Sequence, residues 1–203
     1  MVYAEVLSFA CGVFGIVEKI ISIFARYNVL TMVLEDIAQD FIPGITKAKA
    51  SFLAECAIAC LSRCGHESGV EMVCKGLIDT PEPLIWNTPY DDQLQRSTED
   101  TQEATEHGAE CVSVQFAIEH TPYTIVRRSR KKTGVDYWLG MKDDPLFTNA
   151  ARLEISGILD NFEELDKRKK QKLLQTSQSD STMLPAFVSI VEFGTPAIAF
   201  VEK

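Results

Sequence analysis

Apolar and polar positions alternate most sharply in the C-terminal half of the chain. YTIVRRS (123–129), GVDYWLG (134–140) and ARLEISGI (151–158) are β-rich segments with a period near two, which predicts three strands. Pro122 resets the chain before the first, and KDDPLFTN makes a turn before the third. Upstream, TQEATEHGAECVSVQFAIE (101–119) puts Ala109, Val112, Phe116 and Ala117 on one side and predicts a helix. Asn161 is a candidate cap for a helix over 162–175, with Glu163 and Glu164 in its first turn and lysines toward its end, as a helix dipole prefers. After the polar QTSQSDS linker, PAFVSIVEF (185–193) predicts a buried strand and PAIAFVE (196–202) a last one. Residues 101–193 thus run helix, strand, strand, strand, helix, strand. The strand–helix–strand tail favours a right-handed crossover and an α/β fold with a mixed sheet flanked by helices.

The N-terminal part reads differently. IVEKIISIFAR (16–26) has an apolar face at helical spacing, and 27–38 suits helix or strand until Phe41-Ile-Pro-Gly breaks it. Residues 47–63 predict a helix apolar on most sides, hence deeply packed, with Gly65 as its C-terminal cap. GVEMVCKG (69–76) and PLIWN (83–87) predict short strands with Pro81 and Pro83 in the turn between them; 88–100 is a polar loop or the first turn of the next element. The expected organisation is a mainly helical N-terminal region, 1–66, and an α/β domain, 67–203, with its core at 101–193.

Composition adds a charge pattern. The net charge of −9 argues against nonspecific wrapping of nucleic acid by the whole surface. Yet ten of the twenty Lys and Arg residues sit in two short runs: Arg127, Arg128, Arg130, Lys131 and Lys132, then Lys167, Arg168, Lys169, Lys170 and Lys172. These runs bracket Asp136 and Glu154. Residues 79–110, by contrast, hold nine acids against Arg96 alone, a net −8. The apolar N-terminus lacks a basic leader and is interrupted by Glu5, Glu18 and Lys19, which predicts neither a cleavable signal nor a membrane span. Six cysteines lie mostly inside apolar runs and predict reduced thiols in a cytoplasmic protein.

Two carboxylates on adjacent strands suit a hard divalent ion, which needs only one or two side chains beside substrate phosphate and water. Strand alternation sets Asp136 and Trp138 opposite Val135, Tyr137 and Leu139, and Arg152, Glu154 and Ser156 opposite Leu153 and Ile155. An acid flanked by buried aliphatics is costly unless a metal or a cation pairs with it. The element order, with Asp136 in the second strand and Glu154 in the third, resembles the PD-(D/E)xK (restriction-endonuclease-like) nuclease superfamily over roughly 101–193. The resemblance implies a restriction-endonuclease-like core and Mg2+ or Mn2+ held by Asp136 and Glu154, with Glu106 on the preceding helix as an auxiliary ligand. It further implies hydrolysis of phosphodiester bonds, with DNA the favoured substrate. Arg128, Lys132, Lys169 and Lys172 become the phosphate contacts. The family's lysine two residues after the Glu is replaced here by Ser156, so the catalytic cation must come from elsewhere: Lys169 or Lys172 on the following helix, or Lys132 from the other side.

The alternative is a salt bridge of Glu154 to Arg152 or a helix lysine, with Asp136 in a turn and the basic runs as a solvated hairpin end and helix face. The chain is then a non-catalytic nucleic-acid-binding or protein-interaction module with a degenerate nuclease fold. Its acidic 79–110 segment would bind a basic partner or mimic nucleic acid, and the apolar helix 47–63 offers a homodimer contact. Other candidates carry less. Cys56, Cys60, Cys64 and His66 match no paired-cysteine zinc pattern and suit core packing. Glu103 with His107, and Glu106 with Glu110, have helical spacing but no counterpart elsewhere, so a solvated face or one supporting ligand is favoured. His66, His107 and His120 lack a nucleophile context, there is no phosphate loop or dinucleotide fingerprint, and Trp86 and Trp138 suit the core more than base stacking.

Overall fold

The computed structural model describes residues 31–203, so the helix predicted over 16–26 lies outside the described residues. The described elements begin with strand β1 (Met32–Val33), a 3₁₀ segment (Leu34–Ala38), helix α1 (Lys47–Arg63) and strands β2 (Val70–Gly76) and β3 (Glu82–Ile85). Helices α2 (Asp92–Ser97) and α3 (Thr101–His120) follow, then strands β4 (Tyr123–Arg128), β5 (Tyr137–Met141) and β6 (Ala151–Ile158). Helix α4 (Leu165–Gln175), a 3₁₀ segment (Thr176–Thr182) and strands β7 (Ala186–Glu192) and β8 (Ala197–Glu202) complete the chain. The eight strands form one mixed sheet in the order β1-β3-β2-β8-β7-β6-β5-β4. Strand β5 is antiparallel to β4 and β6, while β6 and β7 run parallel across the α4 crossover.

Helices cover both faces. Helix α3 lies on β6 and packs against α1, and one core cluster joins Ile58, Val112, Phe116, Tyr137, Leu153 and Phe200 on that side. A smaller cluster on the other side unites Leu165 of α4 with Val188, Ile190, Ala197 and Ala199. Strand β7 is therefore buried at all seven positions, as a strand sandwiched between two helical layers must be. Two glycines set close approaches. A Cβ at Gly157 of β6 would stand 2.3 Å from the Thr105 carbonyl oxygen, so α3 rests directly on the strand there. Gly134, with φ +74°, brings the β4–β5 turn against the end of α4, where a Cβ would meet the Gln175 oxygen at 2.2 Å.

Most predicted elements form close to their expected limits. Gly65 closes α1 as expected, with φ +82° and the His66 N–H donating to the Leu61 carbonyl at 3.0 Å. Four details differ. Asn161 makes no side-chain cap: its N–H is held by Glu192 Oε1 at 3.2 Å, and 162–164 form a 3₁₀ turn before α4 starts. Strand β5 begins at Tyr137, three residues late: Asp136 lies in a bend, although its N–H still donates to the Leu153 carbonyl and its carbonyl accepts from the Ser129 N–H. Pro83 lies within β3, beyond the two residues that pair with β1, so its missing N–H is not needed there. The polar 88–100 stretch holds a short helix, α2, whose cap Asp91 accepts from the Gln93 and Leu94 N–H groups. Residues Thr31–Lys203 form one compact unit, so β1 and α1 belong with the strands that follow them.

Candidate active site

Near the start of β5 the ladder opens into a cleft of about 340 Å3 lined by carboxylates and cations. Asp136 is anchored at both ends of its own residue. Its N–H donates to the Leu153 carbonyl at 2.8 Å, and its carboxylate Oδ2 accepts the Ile155 N–H at 2.9 Å. The two residues flanking Glu154 are thus tied to Asp136, whose side chain serves as the acceptor where regular pairing ends at Tyr137↔Leu153. The expected alternation holds: Val135, Tyr137 and Leu139 are buried, while Asp136 and Trp138 are partly exposed.

Glu154 is only 2% exposed. Its Oε1 accepts from Lys172 Nζ at 2.5 Å and from Gln175 Nε2 at 2.7 Å, both one turn apart on α4. Burial, and then the Asp136 charge, push the Glu154 carboxyl up to about 7 despite these two donors. Desolvation and a like charge therefore outweigh the lysine, and the site favours additional positive charge. Ser156 accepts from Arg168 Nη1 at 3.1 Å. Both α4 cations lie in the cleft.

The opposite wall comes from α3. Glu110 accepts from Arg128 at 2.5 Å and from the Tyr137 hydroxyl at 2.8 Å, with Lys49 Nζ 3.1 Å away. Burial raises its pKa, but Arg128 and then Lys49 outweigh that and leave it lowered. The second Arg128 nitrogen lies 3.4 Å from Asp136 Oδ1, so one guanidinium links Glu110 to Asp136. It also packs over the Tyr137 ring, 4.6 Å from the centroid.

The predicted residues are thus partly assembled. Asp136, Glu154, Arg128 and Lys172 share the cleft with Glu106. Glu106, however, is exposed and accepts from Gln102 at 3.2 Å, while the buried carboxylate on α3 is Glu110. Lys169 pairs with Asp166 at 2.6 Å and Lys132 is exposed in the β4–β5 turn; neither lines the cleft. Arg152 does not pair with Glu154. It is 4% exposed and binds the Thr176 and Leu184 carbonyls, Ser179 and Asp180, which fastens the 176–184 segment beside α4. Glu110 left one signal in the sequence, an acid inside the apolar run Ala109 to Val114. Lys49 and Tyr137 left none, because their meeting with Glu110 depends on α3 packing against α1 and against the sheet.

The Gly134 turn that follows Arg130, Lys131 and Lys132 touches the C-terminal end of α4 at Gln175. The acidic segment is partly structural: Asp91 and Asp100 cap helices, and Glu82 and Glu110 are buried. Cys56 and Cys60 are buried free thiols whose pKa is pushed up to about 12 by desolvation first, which suits packing and not reactivity. Trp86 is a core residue. Among the described residues, the trio of metal-binding side chains with donor atoms all within 4.8 Å of one another is Glu82, Glu119 and His120, outside this cleft. Among the described residues no helix is long and apolar enough to cross a membrane. Set against known proteins, the chain matches no family model, no curated protein and no solved structure.

Proposed function

We propose that the Asp136–Glu154 cleft is a divalent-metal-dependent phosphodiesterase site acting on DNA, built on a restriction-endonuclease-like core over 101–193. The observation that carries this reading is a nearly fully buried Glu154 bonded to Lys172 of the crossover helix, in a cleft shared with Asp136, which lies just before β5 and accepts the N–H of the neighbouring Ile155. The raised Glu154 carboxyl marks a pair of acids that a cation would relieve, and their hard oxygens fit Mg2+ or Mn2+. When bound, such an ion polarises the scissile phosphate and acidifies a water.

The chain's own residues have separate tasks. Asp136 and Glu154 are the ligands. Lys172 supplies the cation that Ser156 cannot, and Arg168 adds a second through Ser156 Oγ. Glu110 is a positioning residue that aims Arg128 at Asp136. Arg130, Lys131 and Lys132, exposed in the β4–β5 turn that meets the end of α4, offer cations to phosphates beside the cleft.

A second reading rests on the same ion pairs. Lys172 on Glu154, and Arg128 on Glu110 and Asp136, already neutralise the three acids, as a nucleic-acid-binding module without cleavage would. Nicking of supercoiled DNA separates the two. The nuclease should nick only with Mg2+ or Mn2+, and Asp136→Ala, Glu154→Ala and Lys172→Met should each abolish it. Salt-sensitive DNA binding with no nicking by the wild type would favour the second reading. Nicking that survives Asp136→Ala would remove the first.

A further inference from the structure

At the C-terminal end of α3 a second group of donors stands apart from the cleft. Glu82, the first residue of β3, and Glu119 and His120, from the last turn of α3, bring one donor atom each within 4.8 Å of the others. Glu82 is 2% exposed and the His120 side chain 7%. His120 Nε2 lies 2.7 Å from Glu82 Oε1, but neither His120 Nε2 nor Glu82 Oε2 has a hydrogen-bond partner among the described residues. Buried polar atoms in that condition are costly unless something else binds them. The imidazole is held in place by the Phe116 ring, with centroids 4.4 Å apart. Glu119 is exposed and leaves a path from solvent.

We propose that Glu82, Glu119 and His120 bind one divalent transition-metal ion, with zinc the best match, which pins the end of α3 to strand β3. An imidazole beside two carboxylates is a donor set for Zn2+ and its neighbours in the transition series, whereas Mg2+ prefers oxygen alone. Tetrahedral zinc with bonds of about 2.0–2.1 Å keeps its donor atoms roughly 3.3 Å apart. The Glu82–His120 contact must open slightly and Glu119 close in, both within reach of side-chain rotation. Lys142 does not bridge the acids: its ammonium donates to the Ile118 carbonyl.

The test is zinc titration of the metal-stripped full chain, read by calorimetry and by melting temperature. With saturating Mg2+ present to occupy the Asp136–Glu154 cleft, one equivalent of zinc should bind and raise the melting temperature. Glu119→Gln, at an exposed position that leaves the fold intact, should weaken binding about 10-fold or more. Glu82→Gln and His120→Asn should each weaken it by about 100-fold or more, the upper end of what even an outer-shell loss costs. Asp136→Ala and Glu154→Ala should leave zinc binding unchanged, which makes this outcome independent of the cleft's activity. The proposal is overturned if the wild type takes up no zinc, if Glu119→Gln keeps wild-type affinity, or if binding is lost with Asp136→Ala or Glu154→Ala instead.

Discussion

Replacing Lys172 by Met keeps most of the side-chain volume but removes the ammonium 2.5 Å from Glu154 Oε1. The sign of the effect follows from linkage. Glu154 already titrates near 7 in the folded chain, above its ordinary value of 4.5. The unfolded chain loses that proton first, so the carboxyl destabilises the fold as pH rises from 4.5 to 7 and by a constant amount beyond. Loss of Lys172 moves the upper limit higher. Breaking a buried pair by removing one partner costs about 3–5 kcal/mol, but the Lys172 side chain is 22% exposed and water softens its loss. A cost of about 2–3 kcal/mol is expected at high pH, equivalent to roughly two further pKa units at about 1.4 kcal/mol each. Urea denaturation in EDTA should therefore find the two proteins within about 1 kcal/mol at pH 6, where Glu154 is protonated in both. The gap should open steadily from about pH 7 to 9. Saturating Mg2+ should stabilise Lys172→Met more than the wild type, and an added Asp136→Asn should abolish that recovery. A gap independent of pH, or identical responses to Mg2+, would refute the electrostatic account of this site.

Three other perturbations reach different parts of the structure. Glu110→Gln removes the acid that Lys49 and Arg128 share; it should cost about 3 kcal/mol at pH 7 in chemical denaturation. Because the folded pKa of Glu110 is lowered, its stabilisation is present above about 4.5 and lost as pH falls through the folded value, so the deficit should shrink in acid. Gly134→Ala forces a left-handed φ of +74° on a residue whose Cβ would sit 2.2 Å from the Gln175 oxygen. A loss of about 2 kcal/mol or more is expected by thermal denaturation, and a change below about 0.5 kcal/mol would contradict the close approach of turn and helix. Mutating Arg130, Lys131 and Lys132 together to Ala should weaken DNA binding and lower the slope of log K against log salt by about 0.9 for each phosphate no longer neutralised. Fluorescence anisotropy at several ionic strengths would measure it, and an unchanged slope would place the DNA elsewhere.

Much of the fold was legible because the signals are local. Strand alternation in 123–129 and 151–158, the apolar stripe of α3 and the glycine after α1 each act within a few residues of themselves. Asp136 and Glu154 were legible for the same reason: each is an acid whose neighbours in the strand are apolar. What failed depended on competition between distant groups. Asn161 looked like a helix cap, but the chain there enters a 3₁₀ turn over Phe162–Glu164, with its N–H tied to Glu192 thirty-one residues on, and its side chain caps nothing. Glu106 and Glu110 are one turn apart on the same helix, and no periodicity decides which of them faces Arg128 and Tyr137.

From its residues alone the chain determined an α/β order of elements, two acids set among apolar neighbours and two cationic runs along the chain on either side of them. Tertiary structure decided which cation reaches which acid. Lys172, and not Lys169, meets Glu154 because the crossover from β6 to β7 turns that face of α4 toward the sheet. Likewise Glu82 and His120, thirty-eight positions apart, become neighbours only when the strand and the helix end fold together. Spacing along a strand or helix is set by backbone geometry and can be read from sequence, whereas contact between elements is set by packing and cannot.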